Sequence, residues 1–299
     1  MKPDSNLARK IQTSDFILTA ECAPGPTASG ATAEAALKAL GGKPVAVNVA
    51  DNSHGVALSS VAVCTAAIKL GIEPVLQMVT RDRNRIALQS DLLGAASLGI
   101  RNVLCMSGYH QTLMGCPESA NVFDIDSTQL IDLTNRMSAN GALLDGTRIN
   151  GAFSMLVGAA ANPFLKPLEL NLFRLGKKVE AGARFLQTHA VFDVPAFAHW
   201  LEAVRQEGFS QKAAILASVY PLESAAEAEK LRDTYAEFCI PDAVANRLKK
   251  AGANSKKEGL AICVEIIKQL KAMKGVRGIH ILSGGKEALV PELVAAAGL

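Results

Sequence analysis

The chain has 299 residues, 49% of them hydrophobic and 20% charged, with a formal net charge of +3. That length holds one large core or two modest domains. Its positive residues are scattered, with short clusters at Arg81–Arg85 and Arg247–Lys250 but no long basic tract interleaved with aromatics, which argues against a nucleic-acid partner.

The first six residues are polar, and the first apolar stretch, Phe16 to Ala20, is too short for a signal segment or a membrane span. A soluble, cytoplasmic protein with no membrane partner is expected. Cys22, Cys64, Cys105, Cys116, Cys239 and Cys263 show no C-x-x-C spacing, and several sit inside apolar runs, so reduced thiols in a reducing compartment are the simpler reading.

Eight apolar runs follow one another: Phe16 to Cys22, Val45 to Ala50, Val75 to Thr80, Val103 to Ser107, Ala152 to Val157, Phe185 to Phe192, Ala213 to Val219 and Gly278 to Leu282. Segments of helical period separate them, such as Val61, Cys64, Ile68 stopped by Gly71 and Leu88, Leu92, Ala95 stopped by Gly99. Leu70-Gly71-Ile72 leading into Val75-Leu76-Gln77-Met78 is echoed by Leu98-Gly99-Ile100 leading into Val103-Leu104-Cys105-Met106, a small internal repeat of helix end and buried strand.

Eight such units predict an α/β fold, a (β/α)8 TIM barrel, because parallel strands with right-handed helical crossovers bury both faces of the sheet. An open doubly wound sheet is the competing architecture, but no G-x-G-x-x-G follows the first strand. No linker of biased composition divides the chain, so residues 1–299 are read as one domain with residues 1–15 as an N-terminal extension.

A barrel of this type carries its active site at the carboxyl ends of the strands. Alternation places Thr19 and Glu21 on one face of the first strand and selects Asn48, Gln77, and Gln187 with His189 on later ones. An apolar barrel with a polar mouth suits a small molecule. Glu21 closes the run Phe-Ile-Leu-Thr-Ala; partial desolvation there would raise its pKa and make it a proton donor, whereas an Arg or Lys at the rim would make it an ordinary ion pair.

The loop Val49 to Gly55 reads as a turn with Asn52 or Ser53 starting the next helix. Thr80-Arg81-Asp82-Arg83-Asn84-Arg85 opens a helix, where Arg81 and Arg83 could hold a phosphate or the run could be a solvated helix start capped by Asp82 or Asn84. The turn Ser107-Gly108-Tyr109-His110 offers a similar choice. His54, His110, His189, His199 and His280 lack close ligand spacing, so no metal is expected.

Several of these segments resemble the methylenetetrahydrofolate reductase family, in particular its shorter bacterial members without a regulatory domain. The motifs are Ala20 to Pro26, Val47 to Asn52, Thr80 to Arg85 continuing to Ser90–Ala95, Gly158 to Pro163, and Lys177 to Thr188. The resemblance implies a barrel binding FAD, or FMN in its place. Reduced flavin would pass hydride to methylenetetrahydrofolate, with the acid at Glu21 assisting opening of the five-membered ring. It implies flavin contacts at Asn48, Gln77, Ser107, Tyr109, Asn162, Asn171 and Lys178, and folate contacts at Gln187 and His189.

The chain departs from the family pattern at three of these positions. Tyr109 and His110 occupy the turn where an Asp is common, Gln77 stands where His often does, and His189 where Gln often does. After the seventh strand, Tyr220 to Ala225 keeps the Pro-Leu pair but lacks an aromatic that some members place over the folate or nicotinamide. A missing acid beside the flavin bears on its electron donor, which is NAD(P)H or a redox partner protein. The departures also motivate two other functions, a non-redox folate-binding subunit and a pterin-dependent methyltransferase, and the chain could act as a homo-oligomer or within a hetero-complex.

Overall fold

The computed structural model describes residues 4–53, 55–235 and 238–299. Eight strands, β1 (Ile17–Cys22), β2 (Ala46–Val49), β3 (Pro74–Val79), β4 (Asn102–Met106), β5 (Leu156–Ala161), β6 (Phe185–Ala190), β7 (Ala214–Val219) and β8 (Val276–Ile281), alternate with helices in chain order. All neighbouring pairs are parallel, and β8 pairs with β1 through Thr19 opposite His280. The sheet is therefore closed: this is the (β/α)8 barrel expected, and the open doubly wound sheet is excluded.

Alternation along each strand sorts the side chains into two cores. Ala20, Cys22, Val47, Val49, Leu76 and Met78 face outward into the layer between sheet and helices. Ile17, Ala46, Val75, Leu104, Phe185 and Leu216 face inward and fill the floor. The N-terminal helix Asn6–Thr13 lies within the segment expected as an extension, and it closes that floor: Leu7 is fully buried among the inward residues. The Glu73 carboxylate accepts from the first-turn amides of Asn6 and Leu7 at 2.6 and 2.9 Å, where the positive end of the helix dipole favours an anion.

The repeat has a backbone cause. Gly71 and Gly99 end their helices at φ +73° and +88°, a conformation that a side chain disfavours. The next residues, Ile72 and Ile100, then donate back to Ala67 and Ala95. Each repeat thus turns into a strand through the same Gly-centred helix end.

Two expectations are corrected. The fifth strand is not Ala152 to Val157 but Leu156–Ala161. Its Gly-Ala-Ala-Ala core is a weak strand former by propensity, yet a Cβ on Gly158 would lie 2.2 Å from the Phe185 ring, so packing inside the barrel demands small residues there. Neither Asn52 nor Ser53 starts a helix: the helix after β2 is Ser60–Lys69. Asn52 instead adopts φ +48° and accepts from the Ala57 amide at 3.0 Å. At the other disputed start, Asn84 caps the helix Arg85–Ser97 through the amides of Ile86 and Ala87.

Candidate active site

At the carboxyl ends of the strands lies a cavity of about 350 Å³, within the ordinary range for a small-molecule site. Glu21 and Gln77 stand on one side, Gln187, His189 and Lys178 on another, and Val79, Met106 and Leu282 contribute apolar wall. The barrel beneath is not uniformly apolar as expected. Above the greasy floor, Thr19, Asn48, Gln187 and His280 form a buried polar layer, joined by hydrogen bonds among its members.

Glu21 is half-buried and accepts from Gln77 Nε2 at 3.3 Å. Burial raises its pKa to about 7 and the charge of Glu287 pushes the same way, while the hydrogen bonds from Gln77 and the Gly284 amide pull it down. No Arg or Lys is paired with it among the described salt bridges. Glu287 is itself engaged, accepting from the Ala23 amide at 2.9 Å and from Ser283 Oγ at 3.1 Å.

On the opposite wall, Lys178 Nζ donates to the Ala160 carbonyl at 2.7 Å, and burial lowers its pKa. His189 is pushed down to about 4, first by burial and then by the Lys178 charge, and is neutral at pH 7. This wall presents a buried amine and a neutral imidazole, opposite a carboxylate poised between its two states.

The remaining expected positions divide. Ser107 and Tyr109 line the cavity; Ser107 Oγ accepts from the Ser127 amide at 3.1 Å, and the Tyr109 ring packs on Tyr235 at 5.5 Å between centroids. Asn48 lies one layer below, paired with Gln187. Asn162 and Asn171 are absent from the lining: Asn162 Oδ1 accepts from the Phe164 amide, and Asn171 Nδ2 donates to the Asn162 and Leu165 carbonyls. They brace the loop after β5.

Arg81 is 2% exposed and donates to both Asp82 oxygens and to the Asn52 and Tyr109 carbonyls. Arg83 holds Asp51 through two donors at 2.7 and 2.9 Å and also meets Asp91. These guanidinium groups tie the loops after β2, β3 and β4 together, and their donors are committed to carboxylates and loop carbonyls.

Sequence reasoning missed His280, Tyr220 and Phe238 as wall residues. His280 was within reach, since Gly278 and His280 alternate on β8 as Thr19 and Glu21 do on β1. Phe238 arrives from the long connection after β7 and packs on Tyr220 at 5.8 Å; no local pattern announces it. Among the described residues no group of three or more His, Cys, Asp or Glu could hold a metal ion, and no helix is long and apolar enough to cross a membrane. His54 lies outside the described residues. The described cysteines carry no disulfide.

Fold and site together define a (β/α)8 barrel with a half-buried carboxylate and a buried lysine facing one strand-end cavity. The methylenetetrahydrofolate reductase family model matches residues 6–298, and the chain belongs to that family. A probable methylenetetrahydrofolate reductase (NADPH) of Caenorhabditis elegans is 22% identical over 270 residues, covering 87% of this chain and 36% of that protein. The chain thus spans about a third of that relative's length.

Among solved structures, an uncharacterized protein from Clostridium thermocellum that binds two copies of 5-methyl-5,6,7,8-tetrahydrofolic acid superposes with a TM-score of 0.70 at 15% identity over 98% of both chains. An F420-dependent secondary alcohol dehydrogenase bound to an F420-acetone adduct superposes at 0.52 with 12% identity, over 95% of this chain and 99% of that one. At these identities the likeness is one of fold.

Proposed function

We propose that this protein is a cytoplasmic flavin-dependent reductase that converts 5,10-methylenetetrahydrofolate to 5-methyltetrahydrofolate, with Glu21 as the acid. The observation that carries the reading is Glu21 itself, a half-buried carboxylate raised to about pH 7 on the wall of a strand-end cavity, in a chain matched by the family model over residues 6–298. Breaking a carbon–nitrogen bond of the five-membered ring leaves electrons on nitrogen, and a proton delivered there makes the departure easier. Glu21 holds that proton in an appreciable fraction of molecules near neutral pH. After it is given up, the carboxylate stabilises positive charge on the methylene carbon.

The residues present suit a flavin ring. Val79, Met106 and Leu282 offer apolar wall, and the Lys178 amine is a donor suited to the edge of a ring system that becomes anionic on reduction. When bound, FAD or FMN supplies the hydride. Gln77, Ser107, Tyr109 and Lys178 would hold its ring, while Asn48, Asn162 and Asn171 would act from behind as supports. Arg81 and Arg83 would meet a phosphate only by giving up carboxylates, so their part is to shape the loop that faces it. Gln187 and His189 would receive the folate.

The absorption spectrum of the isolated protein tests the reading first, with flavin bands expected. Dithionite-reduced protein should then be reoxidised by methylenetetrahydrofolate. Colourless protein that takes up neither FAD nor FMN would sink the proposal. Tyr109, which replaces an acid beside the cofactor, favours one second reading, a folate-binding subunit without the redox step. Tight folate binding with no flavin reoxidation would select it. Comparing NAD(P)H with a reduced redox protein as reductant identifies the electron donor.

A further inference from the structure

His280 lies one layer below Glu21 on the neighbouring strand, opposite Thr19 of β1 and Ser218 of β7. It is 1% exposed, yet its ring lines the cavity. Thr19 Oγ1 lies 2.9 Å from its Nδ1, and Gln187 Nε2 lies 3.3 Å from Thr19 Oγ1 and 3.4 Å from Nδ1.

With the Gln187 and Asn48 amides oriented to exchange hydrogen bonds as they do, a count of protons assigns the tautomer. Gln187 Nε2 has two hydrogens: one goes to Asn48 Oδ1 at 3.0 Å and the other points at Thr19 and His280. If Nδ1 carried a hydrogen, it would face that second Gln187 hydrogen, and the fully buried Thr19 hydroxyl would have no acceptor. With Nδ1 bare, Thr19 O–H donates to Nδ1 and Gln187 N–H donates to Thr19 Oγ1, so these three groups are satisfied. The proton therefore sits on Nε2.

Nε2 has no hydrogen-bond partner among the described residues, and it is not among the fully shielded unpartnered atoms, so it keeps contact with the cavity. Ser218, the register partner on β7, keeps a buried Oγ with no partner of its own, so that hydroxyl does not take the Nε2 hydrogen. Burial also disfavours a second proton on the ring.

Gln187 is fixed by the same network. Its amide and that of Asn48 exchange hydrogen bonds at 2.7 and 3.0 Å, and its second N–H turns to Thr19. The cavity floor therefore offers a donor at His280, on a ring whose other nitrogen is held by Thr19.

We propose that His280, held as the Nε2–H tautomer by Thr19, is a ligand-positioning hydrogen-bond donor at the cavity floor that reads an acceptor on a heterocycle edge, such as a lactam carbonyl or a pyrimidine ring nitrogen. The ligand half of this inference rests on the folate reading; the tautomer half stands on the protein alone.

Two measurements test it on the full chain. A long-range ¹H–¹⁵N correlation spectrum of the protein without ligand, with His280 assigned by its disappearance in His280→Gln, should show protonated Nε2 and bare Nδ1 at pH 7. A protonated Nδ1 or an imidazolium would overturn the proposal whatever the protein binds.

Calorimetry with 5-methyltetrahydrofolate provides the second. His280→Gln, whose amide nitrogen can occupy the Nε2 position, should bind within about threefold of the parent protein. His280→Asn, whose amide reaches only the Nδ1 position, should bind about tenfold or more weakly, as loss of one buried donor implies. Equal affinities for the two variants would overturn the ligand half. If the parent protein bound no folate, the functional reading would fall with the ligand half, and the spectrum alone would judge the tautomer.

Discussion

Glu21 exchanges its proton near neutrality because burial penalises its charged form more than Gln77 and the Gly284 amide favour it. If it donates a proton during folate reduction, Glu21→Gln should keep flavin and folate bound and lower the rate of flavin reoxidation by folate by about 10²–10⁴, while sparing reduction by the electron donor. A loss of tenfold or less in stopped-flow reoxidation would remove Glu21 from that role. In the free protein the acid form is held below about pH 7, so the step should slow as pH rises through that value.

The same carboxylate has a consequence for stability. A folded-state value above the ordinary 4.5 means that the folded protein holds the proton more tightly than the unfolded chain. Its stabilising effect is complete below about pH 4.5 and is lost as pH rises through about 7. Glu21→Gln, which cannot ionise, should therefore melt above the parent protein at pH 8 and together with it near pH 4.5. A calorimetric melting difference independent of pH would contradict the assignment.

At the scale of elements, the loops after β2, β3 and β4 are joined by one buried guanidinium. Removing it takes the charged donor from Asp82, which keeps Gln111 Nε2 and Asn52 Nδ2, and the guanidinium from the Asn52 and Tyr109 carbonyls, so Arg81→Ala should cost about 1–3 kcal/mol in urea unfolding. A phosphate ligand at this position would behave otherwise, losing cofactor at unchanged stability. The barrel floor gives a second test. Leu7 is fully buried against it, so Leu7→Ala should cost about 2–5 kcal/mol, whereas Ile86→Ala, at a side chain 74% exposed, should stay within about 0.5 kcal/mol.

At the scale of the whole molecule, a ligand that binds the folded barrel and not the unfolded chain must raise its melting temperature. With 5-methyltetrahydrofolate at about 100 times its Kd, the gain is about 2.7 kcal/mol; entropy scaled to this length turns that into roughly 4 °C. No shift at saturating folate would argue against a folate site in this cavity.

Much of the architecture was written locally. Seven of the eight strands and their intervening helices follow from apolar runs, helical stripes and Gly stops, and period-2 alternation puts Thr19, Glu21, Gln77, Gln187 and His189 on the inward face. Those signals survive because each depends on neighbours within about a turn or a strand of sequence. β5 escaped because its Ala and Gly residues obey the Phe185 ring of the adjacent strand rather than their own propensity.

The sequence by itself determined the number and order of strands, the face that side chains take on every strand but β5, and a carboxylate at the tip of the first strand. Tertiary structure alone decided which of those side chains meet. Thr19 finds His280 across 261 positions and Asn48 finds Gln187 across 139, while Arg81 is spent on its neighbours' loops. Closing the sheet sets those distances, and closure is a property of all eight strands that no local stretch of sequence carries.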